Sequence, residues 1–200
     1  ILAPCGSYYA SNDGGITTTR IFIEDEYIRA AQGGTGFAKV GGNYGGGMRA
    51  SKKAMQYHCK DVLWLDAKEH RYVEEIGTSN AFFSINDEVL NETLTSGTIL
   101  PGITRDSVIQ LLTKWGVKVS QRPLSIDEIF EAAKKGTLQE VFASGTAAVI
   151  SPIGWLNYKG TDIEVADTKV GPIAQKLYDN LYGMQTGKVA DDMGWTYPID

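Results

Sequence analysis

The chain has little cysteine. Cys5 and Cys59 are the only two among 200 residues, which excludes a disulfide scaffold and a zinc site built from cysteines. It has no long apolar run, and nothing approaches the roughly 20 residues that a membrane helix needs. It has no basic surplus. Nineteen Lys and Arg against 24 Asp and Glu give a net charge of −5, whereas a general nucleic-acid binder would show a basic excess or stripe. It lacks an initiating methionine and a signal-peptide pattern. Residues 1–4 read Ile-Leu-Ala-Pro, so the expectation is a chain that begins inside a longer protein. No internal repeat is visible. What remains is an ordinary globular composition, 42% hydrophobic and 22% charged, in a chain long enough to bury most of its apolar surface.

Glycine is the residue in excess. The chain holds 23, nearly twice the roughly 7% norm. Eight of them fall between Gly33 and Gly47. Around this cluster, hydrophobic patterning predicts a strand at 1–9, linker-like punctuation at 10–15, a strand at 17–24 and a short helix or turn at 25–32. A helix at 48–60 and strands at 61–66, 71–75 and 81–85 follow. Residues 93–101 read as irregular. Val108, Leu111, Leu112 and Trp115 share one face of a helix at 104–115, which Gly116 ends. A strand at 117–123 leads to Ser125, which with Glu128 forms a capping box for a helix to Lys135. Strands at 140–143 and 147–150 flank Ser144-Gly145-Thr146. Ile173, Leu177, Leu181 and Met184 mark a last helix. Interspersed helices and strands make this an α/β or α+β domain.

The glycine stretch is neither a P-loop nor a dinucleotide fingerprint. It lacks Gly-Lys-Ser/Thr, and Lys39 stands where Gly34-x-Gly36 would need its third glycine. A flexible surface loop is the plain alternative. Lys39 argues otherwise, as the only charged residue between Arg29 and Arg49. Phe37, Ala38 and Val40 would partly desolvate it, and desolvation favours the neutral amine that forms a Schiff base. Flanking glycines would let a bulky planar cofactor approach the backbone. Two turns could hold an anion: Leu100-Pro101-Gly102-Ile103-Thr104-Arg105 at a helix start, and Ser144-Gly145-Thr146-Ala147 between strands. Taken alone, each turn reads as simple punctuation rather than as a site. Together with the lysine they suit an aldehyde cofactor that carries a phosphate. His58 and His70 read as solvated, Trp64, Trp115 and Trp155 as core or interface, and Lys52-Lys53 and Lys134-Lys135 as solvated helix faces.

The run Gly36-Phe37-Ala38-Lys39-Val40-Gly41-Gly42-Asn43-Tyr44 closely resembles the lysine segment of the branched-chain amino acid aminotransferases, pyridoxal-phosphate enzymes of fold type IV. The resemblance extends in order through Glu75-Ile76-Gly77-Thr78-Ser79-Asn80-Ala81-Phe82, residues 100–105, residues 142–147 and the tail at 195–199. It implies the large C-terminal domain of that fold, a mixed-sheet pseudo-barrel with surrounding helices. Residues 16–200 would be the cofactor-binding domain, and residues 1–15 the end of a small domain and its linker.

By the same resemblance Lys39 holds pyridoxal phosphate as a Schiff base and shuttles the proton. Glu75 pairs with the ring nitrogen, and strand alternation sends the adjacent Glu74 to the opposite face. Tyr44 meets the phenolic oxygen, and Thr78 lines the ring. Ile103, Thr104 and Thr146 bind the phosphate, while Thr146 and Ala147 meet the substrate carboxylate. The implied activity moves the amino group of leucine, isoleucine or valine to 2-oxoglutarate, in a cytoplasmic homodimer, with no metal, nucleic-acid or membrane partner. Three departures stand out. Ala148-Val149-Ile150-Ser151 replaces the redox Cys-x-x-Cys of some members. Asn91, assigned to a loop, stands where the class signature has an apolar residue. The family's N-terminal domain, with its phosphate-binding arginine and pocket aromatics, has no counterpart. A D-amino-acid aminotransferase, an aminodeoxychorismate lyase and an inert fragment of such an enzyme remain the alternatives.

Overall fold

Both faces of the central strands are apolar, and the fold explains why. The computed structural model describes residues 15–197. The strand expected at 1–9, the punctuation at 10–14, and Pro198 and Ile199 lie outside the described residues. The elements run β1 (Thr19–Glu24), α1 (Gly41–Gly45), α2 (Met48–Gln56), β2 (Asp61–Leu65), β3 (Val73–Ile76), β4 (Ser79–Ile85), β5 (Glu88–Asn91), α3 (Ile103–Lys114), β6 (Lys118–Gln121), α4 (Ile126–Lys134), β7 (Leu138–Gly145), β8 (Val149–Tyr158), β9 (Thr161–Glu164) and α5 (Pro172–Gln185). The strands are ordered β3-β2-β1-β8-β7-β4-β5-β6, with β9 on β8 and a further β3–β4 pairing. That pairing closes β1, β2, β3, β4, β7 and β8 into a six-stranded mixed barrel. β1 runs parallel to both β2 and β8, and the other barrel pairs are antiparallel.

Alternation along each strand divides its side chains between two environments. Ile21, Ile23, Leu63, Leu65, Phe83 and Val141 belong to one buried cluster. Phe82 and Phe142, out of step by one, stack at 5.1 Å and belong to a second cluster with Val108, Leu111 and Leu112 of α3 and Leu177 of α5. Phe22, Val62 and Trp64 form a third with Ala50 and Ala54 of α2. Strands covered on both faces read as continuous apolar runs. The mixed-sheet barrel ringed by helices is therefore as expected.

Several boundaries differ from the sequence expectation. Residues 25–32 form turns and bends, the second of the two alternatives expected there. The glycine stretch is not all loop, because it contains α1. The strand expected at 147–150 begins at Val149 and runs to Tyr158, carrying Pro152 and Gly154 that read as breakers. β5 and β9, of four residues each, carry too few positions to show a period. Asn91 ends β5 instead of sitting in a loop, and its Nδ2 donates to the Ala81 carbonyl at 2.7 Å. Lys53 is not a solvated residue: its Nζ lies 2.7 Å from the fully buried Glu24 carboxylate. His58 is exposed as expected, whereas His70 is half-buried. Only half of the capping box is present: Ser125 Oγ accepts from the Glu128 N–H at 3.2 Å, whereas the Glu128 carboxylate accepts from Arg122 instead of reaching back to Ser125. Among the described residues no helix is long and apolar enough to cross a membrane, and no group of three or more metal-ligating side chains gathers.

Candidate active site

Three loops meet at one end of the barrel wall. A cavity of about 200 Å³ there is lined by Lys39, Thr78, Asn80, residues 100–104, Ser144, Gly145 and Thr146. Five of the residues that the sequence singles out, Lys39, Thr78, Ile103, Thr104 and Thr146, thus line one space. Tyr44 lines a neighbouring apolar cavity of about 320 Å³ with Arg29, Met48 and Trp64, and Thr78 belongs to both. The Lys39 Nζ stands 5.9 Å from the Tyr44 ring centre. Ala147 is exposed in the turn after β7 and lines neither cavity.

The wall is built by strand pairing. Asn80 of β4 faces Ser144 of β7 across the ladder. Its Nδ2 donates to the Leu100 carbonyl at 2.9 Å. A Cβ at Gly102 would sit 2.3 Å from the Asn80 Oδ1, so a larger residue there would have to displace the Asn80 amide that holds the 100–104 turn to β4. Gly102 precedes α3, a helix of 12 residues, and has no side chain to cap it. The first N–H groups of α3 therefore face the cavity side without an intrahelical acceptor, a setting that favours an anion. Thr104 and Thr146 add hydroxyls. Ser144 is buried and its Oγ has no hydrogen-bond partner.

Glu75 lies behind this cavity, 2% exposed. Its Oε1 accepts from the Leu100 N–H at 2.9 Å. Its Oε2 is 3.2 Å from the Arg29 Nε, an ion pair between two side chains almost sealed from water. That contact is not aligned as a hydrogen bond, since Nε has no hydrogen-bond partner. The same arginine donates through Nη2 to the carbonyls of Gly36 and Thr98. Burial pushes the Glu75 carboxyl up to about 7, against the lowering effect of Arg29, the Leu100 N–H and the Lys39 charge. Glu74 goes to different partners, as alternation along β3 requires. Its Oε1 accepts from the Thr98 hydroxyl at 2.5 Å, and burial raises it to about 7 as well.

One expectation fails. Lys39 is exposed, not desolvated. Phe37 and Val40, expected to cover it, are themselves 56% and 37% exposed. Their side chains leave the loop for the surface, so the amine is not shielded by its own segment. Sequence reasoning also missed Arg29 and Thr98. Arg29 was legible only as the last charge before a long uncharged stretch. A buried arginine must meet a carboxylate, but nothing local shows that the carboxylate is Glu75.

The residues fit a phosphorylated aldehyde cofactor. A primary amine, a helix start at Gly102, two threonine hydroxyls and an unpartnered buried serine hydroxyl line one cavity, and the pinned Glu75 carboxylate lies behind it without lining it. Residues 16–154 match the family model described as amino-transferase class IV. The branched-chain-amino-acid transaminase 1 of Bacillus subtilis is 46% identical over 199 residues, covering 100% of this chain and 55% of the relative. A probable branched-chain-amino-acid aminotransferase of Staphylococcus epidermidis is 49% identical over the same span and shares. The chain therefore spans about half the length of these curated relatives. Among solved structures, the branched-chain amino acid aminotransferase from Escherichia coli aligns with a TM-score of 0.74 at 28% identity, over 90% of this chain and 57% of that one. A T.th. branched-chain amino acid aminotransferase, complexed with N-(5'-phosphopyridoxyl)-L-glutamate, aligns with a TM-score of 0.75 at 28% identity, over 90% of this chain and 56% of that one.

Proposed function

The chain belongs to the class IV amino-transferases, and from that premise we propose that it is the cofactor-binding part of an enzyme transferring the amino group of leucine, isoleucine or valine to 2-oxoglutarate. The observation that carries this reading is the convergence of Lys39, Thr78, Ile103, Thr104 and Thr146 on one cavity with Glu75 behind it. The relatives' names supply the substrate class. In this reading residues 16–200 form the cofactor-binding domain, residues 1–15 are the end of a small domain and its linker, and the enzyme is a cytoplasmic homodimer.

Pyridoxal phosphate, when bound, supplies an aldehyde that takes up the amino group and a ring that withdraws electrons from the α-carbon. The chain's own residues do the rest. The start of α3, with the Thr104 and Thr146 hydroxyls, would hold the phosphate. Thr146 and Ala147 would meet the substrate carboxylate. Glu75 would hold the proton on the ring nitrogen, and a positive charge there favours the ionised carboxylate that burial alone resists. Leu100 and Arg29 fix that carboxylate before any ligand arrives. The Lys39 amine would attach the cofactor and then carry a proton to and from the substrate α-carbon. Tyr44, beside Lys39, would face the phenolic oxygen.

The test is a substrate panel on the protein loaded with pyridoxal phosphate. Leucine, isoleucine and valine should each convert it to the pyridoxamine form, read by absorbance, and 2-oxoglutarate should restore it. Reaction with D-alanine but not with leucine would overturn the substrate assignment in favour of a D-amino-acid aminotransferase.

A further inference from the structure

We propose that Thr98 is a positioning residue of this site: its hydroxyl, clasped by Glu74, fixes the backbone that holds Arg29 against Glu75. The inference rests on the reading of Glu75 as the partner of the cofactor ring.

Residues 98–102 belong to no strand or helix. No ladder sets their place, so side-chain hydrogen bonds must. Thr98 is 3% exposed and carries most of them. Its hydroxyl donates to Glu74 Oε1 and shares a 2.7 Å hydrogen bond with Ser96 Oγ. Its carbonyl accepts from Arg29 Nη2. Two residues on, the Leu100 N–H meets Glu75 at 2.9 Å. One short segment thus touches both neighbouring glutamates of β3 and the arginine between them. It also bounds the lysine loop, because a Cβ at Gly36 would meet the Thr98 carbonyl oxygen at 2.3 Å.

Glu74 and Glu75 compete for one guanidinium. Both feel the Arg29 charge, and the Glu74 charge opposes ionisation of Glu75. Geometry decides the competition, since Arg29 makes its ion pair with Glu75. The Thr98 carbonyl anchors the far end of the guanidinium, and the Thr98 hydroxyl gives Glu74 the donor that Arg29 does not supply. Losing that hydroxyl frees the carbonyl to turn and leaves Glu74 without its hydrogen-bond donor. Arg29 then gains by moving towards Glu74. The charged groups facing this pair are Arg29 and Lys39 at Glu75, and Arg29, Asp66 and Glu92 around Glu74.

The experiment follows the Glu75 carboxyl by carbon NMR in the cofactor-free protein with labelled glutamate, its signal identified by its loss in Glu75→Gln. Thr98→Val should raise the Glu75 midpoint by about one pH unit, the low end for loosening a close opposite charge. Thr98→Ser, which keeps the hydroxyl, should titrate like the parent. Glu74→Gln keeps an oxygen for that hydroxyl and removes the competing charge, so its midpoint should fall. A folded Thr98→Val with the parental midpoint overturns the inference, as does a Thr98→Ser that shifts equally. Should Thr98→Val not fold, an unmoved midpoint in Glu74→Gln overturns it. Absorbance with added pyridoxal phosphate separates the two claims. No band in the parent protein rejects the cofactor reading, whereas the titration judges Thr98 alone.

Discussion

One methyl group at Gly36 should damage the site more than the fold. A Cβ built there lies 2.3 Å from the Thr98 carbonyl oxygen, 2.8 Å from its carbon and 2.5 Å from the Ala30 Cβ. Two of these are backbone atoms and cannot rotate away. Restoring ordinary contact requires the 36 and 98 segments to part by about 1 Å, and such overpacking costs about 1–3 kcal/mol. The separation has a specific victim, because Arg29 bridges the Gly36 and Thr98 carbonyls while holding Glu75. Lys39 sits three residues beyond. Strain relieved only by giving up the bound geometry should weaken pyridoxal phosphate binding by about 10- to 100-fold, at 1.4 kcal/mol per tenfold. Titration with pyridoxal phosphate by absorbance, alongside thermal melting, reads both effects. A Gly36→Ala protein that binds and melts like the parent would refute the packing argument.

Two further outcomes are expected of the cofactor-free protein. Glu75 and Glu74 keep their protons to about pH 7 when folded, against 4.5 ordinarily. The folded state therefore binds more protons across this window, and stability should fall as pH rises from about 4.5 to 7, then level off. Glu75 alone accounts for about 3 kcal/mol of that loss. Urea melts at pH 5, 6, 7 and 8 check it, and a flat or rising series contradicts it. Glu140, 4% exposed, accepts the Ile173 and Ala174 N–H groups at 2.9 Å each, capping α5. Glu140→Ala should cost about 3 kcal/mol, the scale of hydrogen bonds to a charged group. A loss under about 1 kcal/mol in chemical denaturation would contradict this, because it is below even a neutral bond's usual worth.

The barrel strands were legible because burial on both faces leaves continuous apolar runs, as in 61–66. β8 was cut short because Pro152 and Gly154 imitate a stop, although Pro152 keeps its place opposite Phe142. β9 was missed because its four residues, Thr161–Glu164, include a single apolar side chain, Ile163, and so show no period. Of the residues named by resemblance, each inside a quoted run, Lys39, Thr104 and Thr146 line one cavity and Glu75 bonds to its Leu100 wall. Arg29 and Thr98 were not legible, because their roles arise from contacts 46 and 69 residues apart along the chain, with Glu75 and with each other. The cover expected over Lys39 was a local argument, and it failed because Phe37 and Val40 face outward.

The central claim is that Lys39 carries the cofactor. Incubating the protein with pyridoxal phosphate, reducing it with borohydride and mapping the peptides tests this directly. The account predicts a phosphopyridoxyl label on the peptide containing Lys39, absent in Lys39→Ala. A label spread over surface lysines, or retained in Lys39→Ala, would contradict it.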